Sequence, residues 1–151
     1  MNNVKKQVAQ GVLVDVVGHH IACARVTTHT TFVKHIGQPL DLRPVEYSML
    51  MLLHANTQVT PKQLAQSLAL SAPNLTILLD RLQERGTIQR VRSGVDRRSQ
   101  HVTLTDAGHA LVQNALDRTE PMESELDDSL SRAERAMLIE LLDKVARYRP
   151  G

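Results

Sequence analysis

Aromatic side chains are nearly missing from this 151-residue chain: Phe32, Tyr47 and Tyr148 are all it holds, and tryptophan is absent. Proteins that grip single strands or RNA stack bases on exposed rings, so the composition argues against that mode of binding. The core must be built from Leu, Val, Ile, Met and Ala, a mixture that suits helices. Cysteine occurs once, as Cys23, so no internal disulfide can form and a reducing interior is the natural setting. Long apolar runs are also lacking, which argues against a membrane span. The N-terminal run Val8-Ala9-Gln10-Gly11-Val12 is soon interrupted by Asp15 and reads poorly as a secretory signal. The expected setting is therefore cytoplasmic, with no membrane partner.

Charge of one sign is not in large excess. The formal net charge is +2, so any contact with nucleic acid must rest on local charge. Locally the charge is uneven. The stretch from Arg81 to Arg98 is basic, whereas Glu120, Glu123, Glu125, Asp127 and Asp128 make a later stretch acidic. Hydrophobic residues at 42% and charged residues at 23% match an ordinary soluble domain, and one compact unit is expected.

Apolar spacing predicts a long helix from about Val8 to Ile36, with Gly37-Gln38-Pro39 as its stop. Its high β-branched content leaves an extended reading of part of it open. Pro44 starts a second helix that is apolar far round its circumference and ends at Asn56-Thr57-Gln58. Thr60-Pro61-Lys62-Gln63 is a helix start: Thr60 can cap, Gln63 can complete the capping box, and Pro61 sits where its missing N–H costs little. Ala69-Leu70 makes a turn, and Ser71 can cap the next helix. There Leu75, Leu78, Leu79 and Leu82 share one face, and Gly86 can take the left-handed conformation that ends it.

Two short strand-like runs follow, Thr87 to Arg92 and Val102 to Thr105, around a turn crowded with arginine. Arg90, Arg92, Arg97 and Arg98 are opposed only by Asp96. A basic hairpin tip suits DNA phosphates or a minor groove. Two helices, a tight turn and then a hairpin make the winged form of the helix-turn-helix. A further helix is expected from Asp106 to about Ser129, kinked or broken at Pro121. Ser131 and Glu134 form another capping box, ahead of an amphipathic helix carrying Met137, Leu138, Leu141, Leu142, Val145 and Tyr148.

Leu82-Gln83-Glu84-Arg85-Gly86, then Asp96-Arg97-Arg98, then Val102-Thr103-Leu104-Thr105-Asp106-Ala107-Gly108 are the residues by which the chain resembles the MarR family of bacterial transcription regulators. The resemblance implies a mainly α fold with a small β-hairpin wing, a winged helix-turn-helix carried between N- and C-terminal dimerisation helices. On that pattern residues 1–36 and 109–151 form the helical dimerisation region. Residues 37–108 form the DNA-binding region, with the helix-turn-helix at about 60–86 and the wing at about 87–105, all in one unit. The implied function is a sequence-specific, double-stranded-DNA-binding regulator, most often a repressor released by a small phenolic or aromatic-acid effector. The implied partners are a second copy of the chain and a pseudo-palindromic operator.

Carried over position by position, Ser71, Ala72, Pro73, Asn74, Thr76, Ile77 and Arg81 fall on the recognition helix, supported by Thr60, Lys62 and Gln63. Arg90, Arg92, Asp96, Arg97 and Arg98 fall on the wing. Asp96 and Arg98 match the family's wing pair, in which the carboxylate orients the arginine for the minor groove. Ile77 departs from the pattern, since many relatives are basic there; an apolar side chain can still meet a thymine methyl. In the same family, the long terminal helices favour a dimer seam for the C-terminal apolar stripe over packing inside one subunit.

His19, His20, Arg25 and His29 lie along the first helix and either line an effector cavity or the dimer seam, or simply face solvent. Cys23 reads as a buried small hydrophobe or, as an alternative, as the reactive thiol of a redox-responsive regulator of the same fold. His19 and Cys23 have i, i+4 spacing, but no CxxC or HExxH accompanies them, so no metal site is assigned and a metal-responsive regulator stays an alternative. A winged-helix module for protein contacts, without an operator, is another. No nucleophile elbow, metal triad or phosphate loop is visible, so neither catalysis nor a cofactor is expected.

Overall fold

The computed structural model describes residues 8–92 and 100–148. Asp96, Arg97 and Arg98 of the expected wing lie outside the described residues. The described residues are mainly helical with one two-stranded antiparallel sheet among them, the winged helix-turn-helix architecture expected from the sequence.

The first helix is shorter at its start than its apolar spacing suggests. A 3-10 turn, Gly11–Asp15, is separated from α1, Val17–Phe32, by an extended Val16. Gly11 has φ +55°, and the valines at 12, 14 and 16 gain little from α-helical geometry, so α1 begins only at Val17. Its end also differs. Gly37-Gln38-Pro39 does not stop the helix: a π-helical turn, Val33–Gly37, runs into a single turn α2, Gln38–Leu40. The Gln38 N–H reaches back to the Val33 carbonyl, a wider spacing that carries the chain past Pro39. Asp41, at φ 48°, ends it.

Helix α3, Pro44–Ala55, is buried through Glu46, Met49, Leu50 and Leu53. Helix α4, Pro61–Ser67, and α5, Ala72–Glu84, follow, joined through Ala69 at φ 51°. Strands β1, Ile88–Arg92, and β2, Gln100–Leu104, pair from Ile88 with Leu104 to Arg92 with Gln100. The Val102 N–H also donates to the Val59 carbonyl, at 2.8 Å, tying the sheet to the segment before α4. Helix α6, Asp106–Ser124, passes through Pro121 without breaking, because that residue lies on the exposed side within the last turn. Helix α7, Arg132–Arg147, starts at the Ser131–Glu134 capping box as expected.

One core serves α3, α5, the sheet and the first half of α6. Ile36, Met49, Leu50, Leu64, Leu82, Ile88, Val102 and Val112 are almost wholly withdrawn from water there. Two glycines fit this core to the sheet. Gly86 ends α5 at φ +71°, where a side chain would be strained. Gly108 lies so close to the Thr87 carbonyl that a Cβ would meet its oxygen at 2.0 Å. The terminal elements share little of this core. In α7 Met137, Leu138, Leu141, Leu142 and Val145 are all exposed, as are Val12, Leu13, Val16, Val17 and Ile21 near the N-terminus.

Candidate nucleic-acid interface

Local chemistry sets α4 and α5, the two helices of the helix-turn-helix and the expected DNA-reading head. The Gln63 N–H donates to Thr60 Oγ1 at 3.3 Å, and the Thr60 N–H donates to Gln63 Oε1 at 2.9 Å. This is the reciprocal cap read from the sequence, and it leaves Lys62 exposed beside it. At the next start the Asn74 N–H donates to Ser71 Oγ at 3.4 Å. Leu75, Leu78, Leu79 and Leu82 turn inward from α5. Ser71, Ala72, Pro73, Asn74, Thr76 and Ile77 all stay exposed, so the sequence-predicted reading residues form one open face over the first two turns.

Arg81 departs from that group. Its Nε lies 2.8 Å from Glu46 Oε1 on α3, a carboxylate whose side chain is 1% exposed. Its guanidinium is thus turned toward the scaffold. Arg90, on β1, pairs through Nη2 with Asp80 Oδ1 on α5 and so joins the sheet to the reading helix. Arg92 is exposed at the end of β1. Below it, the Thr87 hydroxyl donates to the Leu82 carbonyl at 2.9 Å, and the Thr105 hydroxyl donates to the Gly86 carbonyl at 2.5 Å. These contacts fix the sheet against the end of α5. Arg85 turns the other way, its Nη1 and Nη2 donating to the Asp41 and Leu40 carbonyls at 2.5 and 3.2 Å.

Glu46, Asp80 and Arg85 carry this geometry; Arg85 stands in the motif that carries the family resemblance, and Glu46 had a local signal of its own. It stands at the third helical position after Pro44, where a carboxylate suits a helix start. Its Oε2 does accept the Arg43 N–H, at 2.7 Å.

A second feature lies behind the reading head. A hollow of about 310 Å³ opens between α1, α3 and α6, lined among others by Arg25, Thr28, His29, Phe32, Tyr47 and Met122. Arg25 and His29 are among its lining residues. His19 and His20 are not among its lining residues. His20 Nε2 instead donates to the Val14 carbonyl at 2.8 Å, and His19 Nε2 lies 3.7 Å from the exposed Cys23 Sγ. The Phe32 and Tyr47 rings meet edge to face with centroids 5.7 Å apart. The Thr119 hydroxyl donates to the Ala115 carbonyl, so the Tyr47 hydroxyl donates to Thr119 Oγ1, at 2.9 Å. Among the described residues, no group of three or more His, Cys, Asp or Glu side chains is placed to hold a metal, and no helix is long and apolar enough to cross a membrane.

Comparison with known proteins bears on the whole arrangement. The MarR family model matches residues 40–99, from α2 through the reading head to the sheet. The regulator PecS of Dickeya dadantii is 31% identical over 90 residues, 60% of this chain and 54% of that protein. The organic hydroperoxide resistance regulator of Bacillus subtilis is 35% identical over 84 residues, covering 56% of this chain and 57% of that protein. The chain thus spans about half the length of the curated relatives it matches. Solved structures match further. The transcriptional repressor CouR, solved bound to a 23-mer DNA duplex, superposes with a TM-score of 0.85 at 32% identity, over 93% of this chain and 99% of that one. A mutant MarR from E. coli in complex with operator DNA gives 0.80 at 25% identity, over 91% and 99%. With its helix-turn-helix, its paired strands and its terminal helices matched almost end to end by such a structure, the chain belongs to the MarR family of transcriptional regulators.

Proposed function

We propose that this protein is a homodimeric, sequence-specific double-stranded-DNA-binding regulator whose hold on an operator is released by a small acidic aromatic effector. The observation that carries the reading is the open first half of α5, capped by Ser71 and backed by four buried leucines, with the sheet fixed beside it. A capped helix supplies N–H groups for phosphates, and its first turns supply side chains for base edges. Arg92, with Arg97 and Arg98 five and six residues further along the sequence, gives the wing its positive charge. The domain reading follows: residues 37–108 hold DNA, and residues 1–36 and 109–151 hold the second copy.

Two relatives support the finer points. CouR was solved with p-coumaroyl-CoA as well as with DNA, and MprA of E. coli is named a transcriptional repressor. The hollow beside α1 has the chemistry for an aromatic acid: Arg25 and His29 offer donors to a carboxylate, and Phe32 and Tyr47 offer apolar walls. The size, about 310 Å³, suits a single-ring ligand. Release requires an effector that prefers the arrangement of reading heads that does not fit DNA. A regulator of this kind works in the cytoplasm and needs no catalytic group.

The test is fluorescence anisotropy with the DNA upstream of the protein's own coding region, over a salt series and with added phenolic and aromatic acids. Binding that falls steeply with salt and is reversed by one of the acids is expected. No retention above a scrambled duplex would overturn the reading in favour of a protein-contact module. Binding that no acid reverses, but that peroxide abolishes only while Cys23 is present, would move the signal to the thiol.

A further inference from the structure

We infer that α5 reads A·T base pairs, with Ile77 set for a thymine methyl and Asn74 for an adenine edge, and that guanine is not read from this helix. The inference rests on the DNA-binding reading above and deepens it.

The cations come first. Guanine is most often recognised by an arginine or lysine reaching its O6 and N7. Helix α5 holds one arginine, Arg81, and no lysine. Arg81 is one turn past Ile77, and its Nε is committed to the buried Glu46 at 2.8 Å. On the sheet, Arg90 is committed to Asp80. That second pair also neutralises a carboxylate beside the reading face, which phosphate would otherwise repel.

The remaining reading face is short and mostly apolar. Ile77 is four residues past Pro73 and three past Asn74, so it neighbours both on the surface at the start of the helix. Ile77 is 67% exposed, while the leucines on either side of the helix turn inward at 7% or less. The Thr76 hydroxyl donates back to the Ala72 carbonyl at 3.0 Å, so its proton is already spent within the helix. Asn74 is exposed and carries a carboxamide, the group that pairs in two-pronged fashion with adenine N6 and N7. Among base edges, only thymine offers a methyl group in the major groove, and an isoleucine is suited to meet it.

One exposed isoleucine is ordinary on a protein surface. Its place on the face beside Asn74, where the first turns of a reading helix meet base edges, gives it a ligand.

The experiment is selection of duplexes from a randomised library with the wild-type protein, followed by replacement of single thymines by uracil in the selected duplex. That change deletes the major-groove methyl and leaves base pairing intact. Expected is a loss of about fourfold at one position per half-site, the worth of one buried methyl-sized group. In Ile77→Ala, with thermal unfolding unchanged because the residue is exposed, thymine and uracil duplexes should bind equally at that position.

Three outcomes overturn the inference. One is a wild-type protein indifferent to uracil throughout. Another is a uracil effect that persists at full size in Ile77→Ala. A third is a selected guanine whose preference disappears in Arg81→Gln. Failure to enrich any duplex overturns the regulator reading and this inference with it, whereas enrichment without a methyl effect overturns the inference alone.

Discussion

Arg81 and Glu46 meet across the interface between the reading helix and the scaffold, with Nε 2.8 Å from Oε1. The approach is an ion pair and not an aligned hydrogen bond, since Oε1 has no hydrogen-bond partner among the described residues. The second oxygen accepts the Arg43 N–H at 2.7 Å. One buried carboxylate therefore caps α3 and holds α5. Arg90 and Asp80 make a second tie from the sheet to the same helix. The reading helix is anchored through its later turns, and its first turns are left open.

That arrangement predicts an order of stabilities. Removing one partner of a buried pair strands the other. Glu46→Ala strands Arg81, whose side chain is already a third exposed, so water recovers part of the loss. A cost of about 2 kcal/mol is expected, read from the urea midpoint with the slope unchanged. Arg81→Met leaves Glu46 charged and buried, and about 3 kcal/mol is expected. The reverse order would show that packing, and not the pair, holds α5.

A different carboxylate predicts a pH dependence. Glu125, just past the end of α6, receives Lys34 Nζ and His35 Nε2 on the same oxygen. The Lys34 hydrogen bond, and next the His35 one, hold its carboxyl below the ordinary carboxylate value. A group whose folded value is lowered stabilises the fold above the unfolded value and loses that contribution as pH falls through the folded one. Wild type should therefore exceed Glu125→Gln in stability near neutrality, and the gap should close as pH drops below about 4. Urea unfolding of both proteins across the acid range measures it. A gap that stays constant would mean that Lys34 and His35 stabilise nothing through this carboxylate.

The sheet and α6 are joined at Gly108. A Cβ there would sit 2.0 Å from the Thr87 carbonyl oxygen, and backbone cannot step aside as a flexible side-chain end can. Gly108→Ala should force α6 away from the sheet and cost about 2–3 kcal/mol. Thermal unfolding reads this directly, and DNA binding should fall with it because the wing is carried by that contact. Gly18 is the control: a Cβ added there would meet nothing within 4 Å, and Gly18→Ala should leave the unfolding temperature unlowered.

Local chemistry made much of this fold legible before any coordinates. Both capping boxes, the inward leucines of α5 and the left-handed Gly86 depend on neighbours within a few residues, and all stand where spacing put them. Partners far apart in sequence did not show themselves. Nothing in the sequence pairs Glu46 with Arg81, so the ion pair that turns Arg81 toward α3 could not be read from spacing. His19 and His20 share a helix with Arg25 and His29, yet they stand at its start, His20 bonded to the 3-10 turn and His19 beside Cys23, and neither lines the hollow. The early start expected for α1 failed because helical periodicity in a valine-rich segment says which face is apolar, and not whether the backbone gains by being helical.

The exposed stripe on α7 predicts the assembly. Leu138, Leu141, Leu142 and Val145 lie on one side of the helix and are 41–52% exposed in a single protomer. Near the other terminus Leu13, Val16, Val17 and Ile21 are 39–60% exposed. Apolar surface gathered into a stripe, and not scattered, needs cover. On the proposed reading a second copy supplies it with two-fold symmetry, and the same symmetry would let two DNA-binding heads meet successive turns of one DNA face. Leu141→Lys puts a charge in that seam, and the expected result is half the wild-type mass by light scattering at micromolar concentration. Operator affinity should fall by about a hundredfold or more as the second head is lost. Ile139 is 59% exposed but stands about a quarter turn off the stripe, so Ile139→Lys should leave both mass and affinity near wild type. A wild-type protein that runs as a monomer, or a Leu141→Lys protein that stays a dimer with full affinity, would place the seam elsewhere.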